Sequence, residues 1–265
     1  MPIFYDQLNR PVNLTGIPKR IISVVPSQTE LLFNLGLTDE VIGITKFCIH
    51  PHEKFRTTEK VGGTKQLDLE KIKALHPDLI IANKEENDKA QIEALAEFFP
   101  VWISDIGNLT EAIDMIEKVG DITNCHSQAH QLSVDILRRF NEIDIPRSGL
   151  DAAYFIWRKP YMIAGKNTFI DAMLQVCGLN NVFKEERYPE ISEADLLKAK
   201  PQLILLSSEP YPFGEKHIAE LQRILPLAAI KLVDGELFSW YGSRLLHAPA
   251  YFKQLTAGFS FEQKN

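Results

Sequence analysis

The sequence predicts an α/β protein of two lobes with mainly parallel sheets, joined by a single long backbone helix. Three observations carry this expectation. Short apolar, β-branched runs alternate with helical segments in both halves, and strands apolar on both sides belong to parallel sheets covered by helices. The stretch between Pro100 and Pro146 has no proline, and within it Leu132, Ile136, Phe140 and Ile143 recur at helical spacing. The halves also echo each other: residues 67–81 align with 191–205, both reading capping residue, short helix, proline (Pro77, Pro201), then buried strand.

Taken in order, 21–25 is the first strand. Ser27 and Glu30 have capping-box spacing, so a helix is expected to begin there and run to Gly36. A second strand at 41–45 precedes a long loop, 46–66, holding His50-Pro51-His52 and Gly62-Gly63. A short helix at 68–75, stopped by Pro77, leads to a strand at 79–82, a helix at 87–98 and a strand at 101–104. Asn108 to Glu111 starts a helix that Gly120 is expected to interrupt. A helix of ~18 residues from about Cys125 is ~27 Å long, enough to connect two lobes. The same order then repeats: strand 152–157, helices 168–176 and 194–199, strand 203–207, a helix, strand 231–233 and a final helix near 248–257. The expected divisions are 1–108, 109–145 for the connecting helices, and 146–265.

The chain has 265 residues, 45% hydrophobic and 24% charged, ample for a buried core. Lys plus Arg is 29 against 35 for Asp plus Glu, a net charge of −6 that argues against nucleic acid as partner. Cys48, Cys125 and Cys177 are odd in number and far apart, so neither a disulfide framework nor a CxxC metal knuckle is written here. The opening residues, Met1 to Asp6, have no basic start, apolar core or small-residue cleavage site. A cytoplasmic location is therefore expected as written, with a periplasmic or cell-surface one if a signal peptide has been removed.

No Ser/His/Asp arrangement, HExxH, GxSxG or dinucleotide fingerprint is legible. The expected activity is binding, not catalysis, by a monomer with no intrinsic cofactor. Gly165-Lys166-Asn167-Thr168 lacks the earlier glycine of a P-loop and reads as a turn feeding a helix N-terminus, close to a ligand's anionic or amide edge. Cys125, His126 and His130 supply too few ligands for zinc and read as a solvated helix face. Phe238, Trp240 and Tyr241 follow a strand, where strand ends face a cleft, and lie too close together to enter one core. Trp157-Arg158 also follows a strand. Cys48 and His50 alternate, so an extended segment would put both on one face as transition-metal ligands.

The run from Lys19 to Gly36 resembles the opening of the helical-backbone metal receptors, substrate-binding proteins for cobalamin, ferric siderophores and haem. Val61-Gly62-Gly63, Asp68-Leu69-Glu70, Pro77 to Ile81, Gly165-Lys166 and Asp234 to Arg244 continue the resemblance over 18–255, most similar to the cobalamin branch. The resemblance implies that a cobalamin or related corrinoid, a small-molecule metal chelate, is held between the lobes. Taken with the reading of the residues above, the expected ligand-binding residues are Ser27, Cys48, His50, Trp157, Gly165, Lys166, Trp240 and Tyr241. Trp240 matches a tryptophan that packs on the corrin; His50 replaces a tyrosine beside the ligand and is placed to bond cobalt. Thr64 stands where the other flanking aromatic would be. Glu70 matches a glutamate that pairs with arginines of an ABC permease; the equivalent position in the other lobe is Ala194, flanked by Glu193, the expected docking residue there, and Asp195. The alternatives are a ferric-siderophore or haem binder, and a cytoplasmic corrinoid- or metal-processing enzyme on the same scaffold.

Overall fold

The computed structural model describes residues 3–259. It divides into two units: Met1–Ile106, Thr110–Arg138 and Tyr241–Arg244 form unit 1, and Gly107–Leu109, Arg139–Trp240 and Leu245–Asn265 form unit 2.

Unit 1 opens with the hairpin β1 (Ile3–Tyr5) and β2 (Pro11–Asn13). Then follow β3 (Ile21–Ser23), α1 (Pro26–Asn34), β4 (Val41–Ile44), α2 (His52–Thr57) and β5 (Glu59–Lys60). A small hairpin, β6 (Gly62–Gly63) and β7 (Gln66–Leu67), leads to α3 (Leu69–Ala74), β8 (Leu79–Asn83), α4 (Lys89–Ala96) and β9 (Val101–Ser104). The order β5-β4-β3-β8-β9 is parallel throughout. Every residue of β3, β8 and β9 is buried, as expected for strands with covered faces.

The helices α5 (Leu109–Ile122) and α6 (His126–Glu142) follow. Gly120 does not interrupt α5. It lies where a Cβ would come 2.3 Å from the Ala129 Cβ, so it permits close approach to α6. The helix stops two residues later, at Ile122, and Cys125 N–H returns to the Gly120 carbonyl. With 17 residues α6 is about 26 Å long; it begins in unit 1 and ends in unit 2.

Unit 2 contains β10 (Asp151–Trp157), β11 (Tyr161–Ile163), α7 (Phe169–Val176), β12 (Asn180–Asn181), β13 (Glu190–Ile191), α8 (Glu193–Ala199) and β14 (Leu203–Ser207). It continues with α9 (Glu215–Ile224), β15 (Ala229–Val233), α10 (Gly235–Ser239), a 3-10 turn (Ser243–Leu246) and α11 (Ala248–Ala257). β10, β14, β15 and β12 are parallel, whereas β11 pairs antiparallel with β10 and with β13. Apolar clusters pack in each unit, around Ile22, Ile80 and Leu95 in the first and Phe155, Ile204 and Leu206 in the second.

The internal repeat has a local physical basis. Asp68 accepts the Lys71 N–H at the start of α3, and Ser192 caps α8 in a full capping box with Asp195. The box expected from Ser27 and Glu30 does not form. Pro26, with its fixed φ and missing N–H, takes the first helical position, so Val25 is the N-cap. Glu30 instead binds Arg244 through two bonds of 2.9 and 2.7 Å. That pair, with Tyr241 Oη donating to Glu86 at 2.8 Å, holds Tyr241–Arg244 in unit 1, although this segment was expected in the C-terminal lobe. Both side chains of the ion pair are largely buried, at 16% and 21% exposure. Arg244→Ala is therefore expected to cost about 1–3 kcal/mol, measured by urea unfolding; an unchanged midpoint would mean the pair contributes nothing.

Candidate functional site

In parallel α/β sheets, ligands meet the carboxyl ends of the strands. In unit 1 the chain turns sharply past β4, with Cys48 N–H bonded to the Thr45 carbonyl. The segment is thus not extended, so Cys48 and His50 do not share a face as expected, and Cys48 is not a metal ligand. Cys48 is fully buried, and its sulfur lies 3.1 Å from both the Thr29 and Thr45 hydroxyls. Burial pushes its thiol up to about 11, so it is a neutral packing group and not a thiolate. His50 is half-buried at the foot of α2. The outward side chains are Phe47 and Ile49, 50% and 41% exposed. Gly63 lies behind Phe47, since a Cβ there would sit 3.2 Å from the ring.

Unit 1 also contains a buried polar belt. Asn87 donates to the Val24 and Thr64 carbonyls at 3.0 and 3.1 Å, and Asn83 Nδ2 donates to Ser104 Oγ at 3.0 Å. Ser27 Oγ, Gln28 Oε1 and Ser243 Oγ are buried without hydrogen-bond partners among the described residues. Ser243 adjoins Gly242, which approaches the Ser27 carbonyl, so these orphan atoms cluster near the start of α1. Buried polar atoms without partners are uncommon.

In unit 2, Trp157 ends β10 with 40% exposure and meets Tyr211 edge to face, ring centroids 5.6 Å apart. Arg158 forms a two-bond pair with Glu220, which also accepts from Tyr161 Oη. Phe238, Trp240 and Tyr241 are all buried, but not in one core: the first two belong to unit 2 and Tyr241 to unit 1. Phe238 packs on Tyr154 and Phe252, with centroids 5.0 and 4.8 Å away. Trp240 is only 6% exposed, and its indole N–H donates to Glu209 at 2.7 Å. Glu209 also accepts from Ser239 Oγ, while burial raises its pKa above the usual carboxylate range.

Gly165 and Lys166 lie elsewhere. The ammonium of Lys166 pairs with Asp171 at 3.0 Å and lines a cavity of about 510 Å³ with Asp151, Asn180 and Lys184. Asp151 and Asn180 mark the amino-terminal end of β10, opposite Trp157. Glu70 and Glu193 sit on the first turns of α3 and α8; both are exposed, and Glu70 pairs with Lys73 at 3.0 Å. His126 and His130 pair with Asp121 and Glu117, as fits a solvated helix face. No group of three or more His, Cys, Asp or Glu suited to a metal ion occurs among the described residues. Phe47, Ile49 and Tyr211 were not singled out from the sequence; an aromatic within a loop that also holds paired glycines was the available signal for Phe47.

Two α/β units, each with an exposed ring at or just past the end of a parallel strand, have the architecture of a ligand-binding protein. The chain belongs to the periplasmic binding protein family, whose pattern matches residues 21–229. It is 28% identical over 254 residues to a vitamin B12-binding protein of Pectobacterium carotovorum, covering 91% of this chain and 90% of that one. Its fold is similar to the periplasmic vitamin B12 binding protein BtuF of Vibrio cholerae, at TM-score 0.74 and 23% identity, over 91% and 97% of the two chains. It is likewise similar to a periplasmic heme binding protein of Pseudomonas aeruginosa, at TM-score 0.77 and 20% identity, over 92% and 94%. The family and these structures are periplasmic, which lends the expected cytoplasmic location no support and fits its exported alternative.

Proposed function

We propose that this protein binds cobalamin or a related corrinoid, using the strand-end faces of its units as contact surfaces. The near full-length likeness to vitamin B12-binding proteins carries the reading. The exposed rings of Phe47 and Trp157 supply the flat apolar surface that a macrocycle needs. The ligand is cargo for an ABC permease, with Glu70 and Glu193 as docking charges, and the working location is outside the cytoplasmic membrane.

Titration calorimetry against cobalamin, cobinamide, haem and a ferric catecholate tests this. Corrinoid binding of low-micromolar affinity or tighter, ~8 kcal/mol or more, is the expected result. Haem or catecholate binding without corrinoid binding rejects the reading. His50 is proposed as the cobalt ligand that displaces water from aquocobalamin. Its replacement by alanine is expected to shift the visible bands back toward those of the free ligand and weaken binding; an unchanged spectrum and affinity would make His50 a loop residue only.

A further inference from the structure

The direction of the hydrogen bond at the Tyr211 hydroxyl is set by its neighbours. The backbone N–H of Gly214 donates to His217 Nδ1 at 2.9 Å. An amide N–H can only donate, so Nδ1 carries a lone pair and the proton of the neutral ring is on Nε2. Burial, together with the positive charges of Lys216 and Arg158, holds this histidine below its ordinary pKa, and the Glu220 carboxylate only partly opposes them. Nε2 lies 3.1 Å from Tyr211 Oη, so the imidazole donates and the phenol oxygen accepts. Arg158 is fixed by two bonds to Glu220 and has only N–H groups to offer, so it cannot take the phenol proton. A phenol oxygen has two acceptor positions and one proton. With the imidazole N–H on the acceptor side, the Tyr211 proton must be donated to a further partner. None is present among the described residues, and the exposed Trp157 ring lies beside it.

The charge here is balanced. Arg158 is neutralised by Glu220, His217 is neutral, and the first turn of α9 exposes one acid and one base, Glu215 and Lys216. A carboxylate would lose hydration without meeting an uncompensated cation, whereas an uncharged carbonyl needs only one donor. We infer that Trp157 and Tyr211 form a subsite for an uncharged carbonyl oxygen, specifically a primary amide on the rim of a corrinoid. The indole covers the apolar arm of that amide. Haem, whose rim carries carboxylates, is the poorer match.

The inference rests on the corrinoid reading, and the experiment separates the two. Affinities for cobinamide, and for the same corrinoid with its rim amides hydrolysed to carboxylic acids, are measured on the unaltered protein, Tyr211→Phe and Trp157→Leu. The unaltered protein is expected to prefer the amide form by about tenfold. In Tyr211→Phe that preference is expected to fall to near unity, which a general loosening of the loop would not produce because it weakens both ligands alike. Trp157→Leu, a change at an exposed ring, is expected to weaken both forms while keeping the preference. If Tyr211→Phe retains the preference, or the unaltered protein has none, the subsite inference is overturned and the corrinoid reading stands. If the unaltered protein binds neither form, the corrinoid reading fails and takes the inference with it.

Discussion

Trp240→Ala is expected to destabilise the protein by about 3–5 kcal/mol in the absence of any ligand. The ring is 6% exposed, so truncation leaves a cavity of indole size, and the Nε1–H bond to Glu209 is lost with it. Glu209 is already disfavoured as a charge by burial and, among the described residues, would keep only Ser239 as a side-chain donor. Trp240→Phe restores much of the volume but not the donor, and is expected to cost about 1–2 kcal/mol. Urea unfolding of the ligand-free protein measures both. A Trp240→Ala protein as stable as the unaltered one, yet unable to bind a corrinoid, would show a ring that serves the ligand and not the fold.

That contrast marks what the sequence made legible. Strands such as 21–23 and 203–207 were readable because a covered parallel strand is apolar on both sides, a property of a few adjacent residues. The caps Asp68 and Ser192 were readable for the same reason, since each bond spans three residues. Glu30 was misread because its partner, Arg244, is 214 residues away, while Pro26 displaced the helix start by local geometry. Cys48 looked like a metal ligand on the assumption of an extended segment; the Thr45–Cys48 turn and the hydroxyls around the sulfur are tertiary facts. Tyr211 carried no sequence signal, because its role follows from a histidine tautomer fixed by a backbone amide.

Asp171→Ala is expected to cost about 3 kcal/mol, and it tests whether Gly165-Lys166 belongs to the scaffold or to the ligand. The Asp171 carboxylate is 5% exposed and accepts from Lys166 Nζ at 3.0 Å, Asn181 Nδ2 at 3.0 Å and Gln175 Nε2 at 3.2 Å. It stands in the first turn of α7, where the helix dipole favours a negative charge. Its removal leaves a partly buried ammonium without its counter-charge and takes a partner from the buried Asn181 amide, which spans to the Ala164 carbonyl at 2.9 Å. Lys166→Met removes the cation but leaves the carboxylate two amide donors, so it is expected to cost less, about 1–2 kcal/mol. The two changes should couple: in a Lys166→Met background Asp171→Ala is expected to lose about 1 kcal/mol of its effect, because the ammonium it would strand is already gone. A double-mutant cycle by urea unfolding measures that coupling. Zero coupling, together with loss of corrinoid affinity in Lys166→Met, would mean that the ammonium reaches the ligand instead of pairing with Asp171 in the first turn of α7.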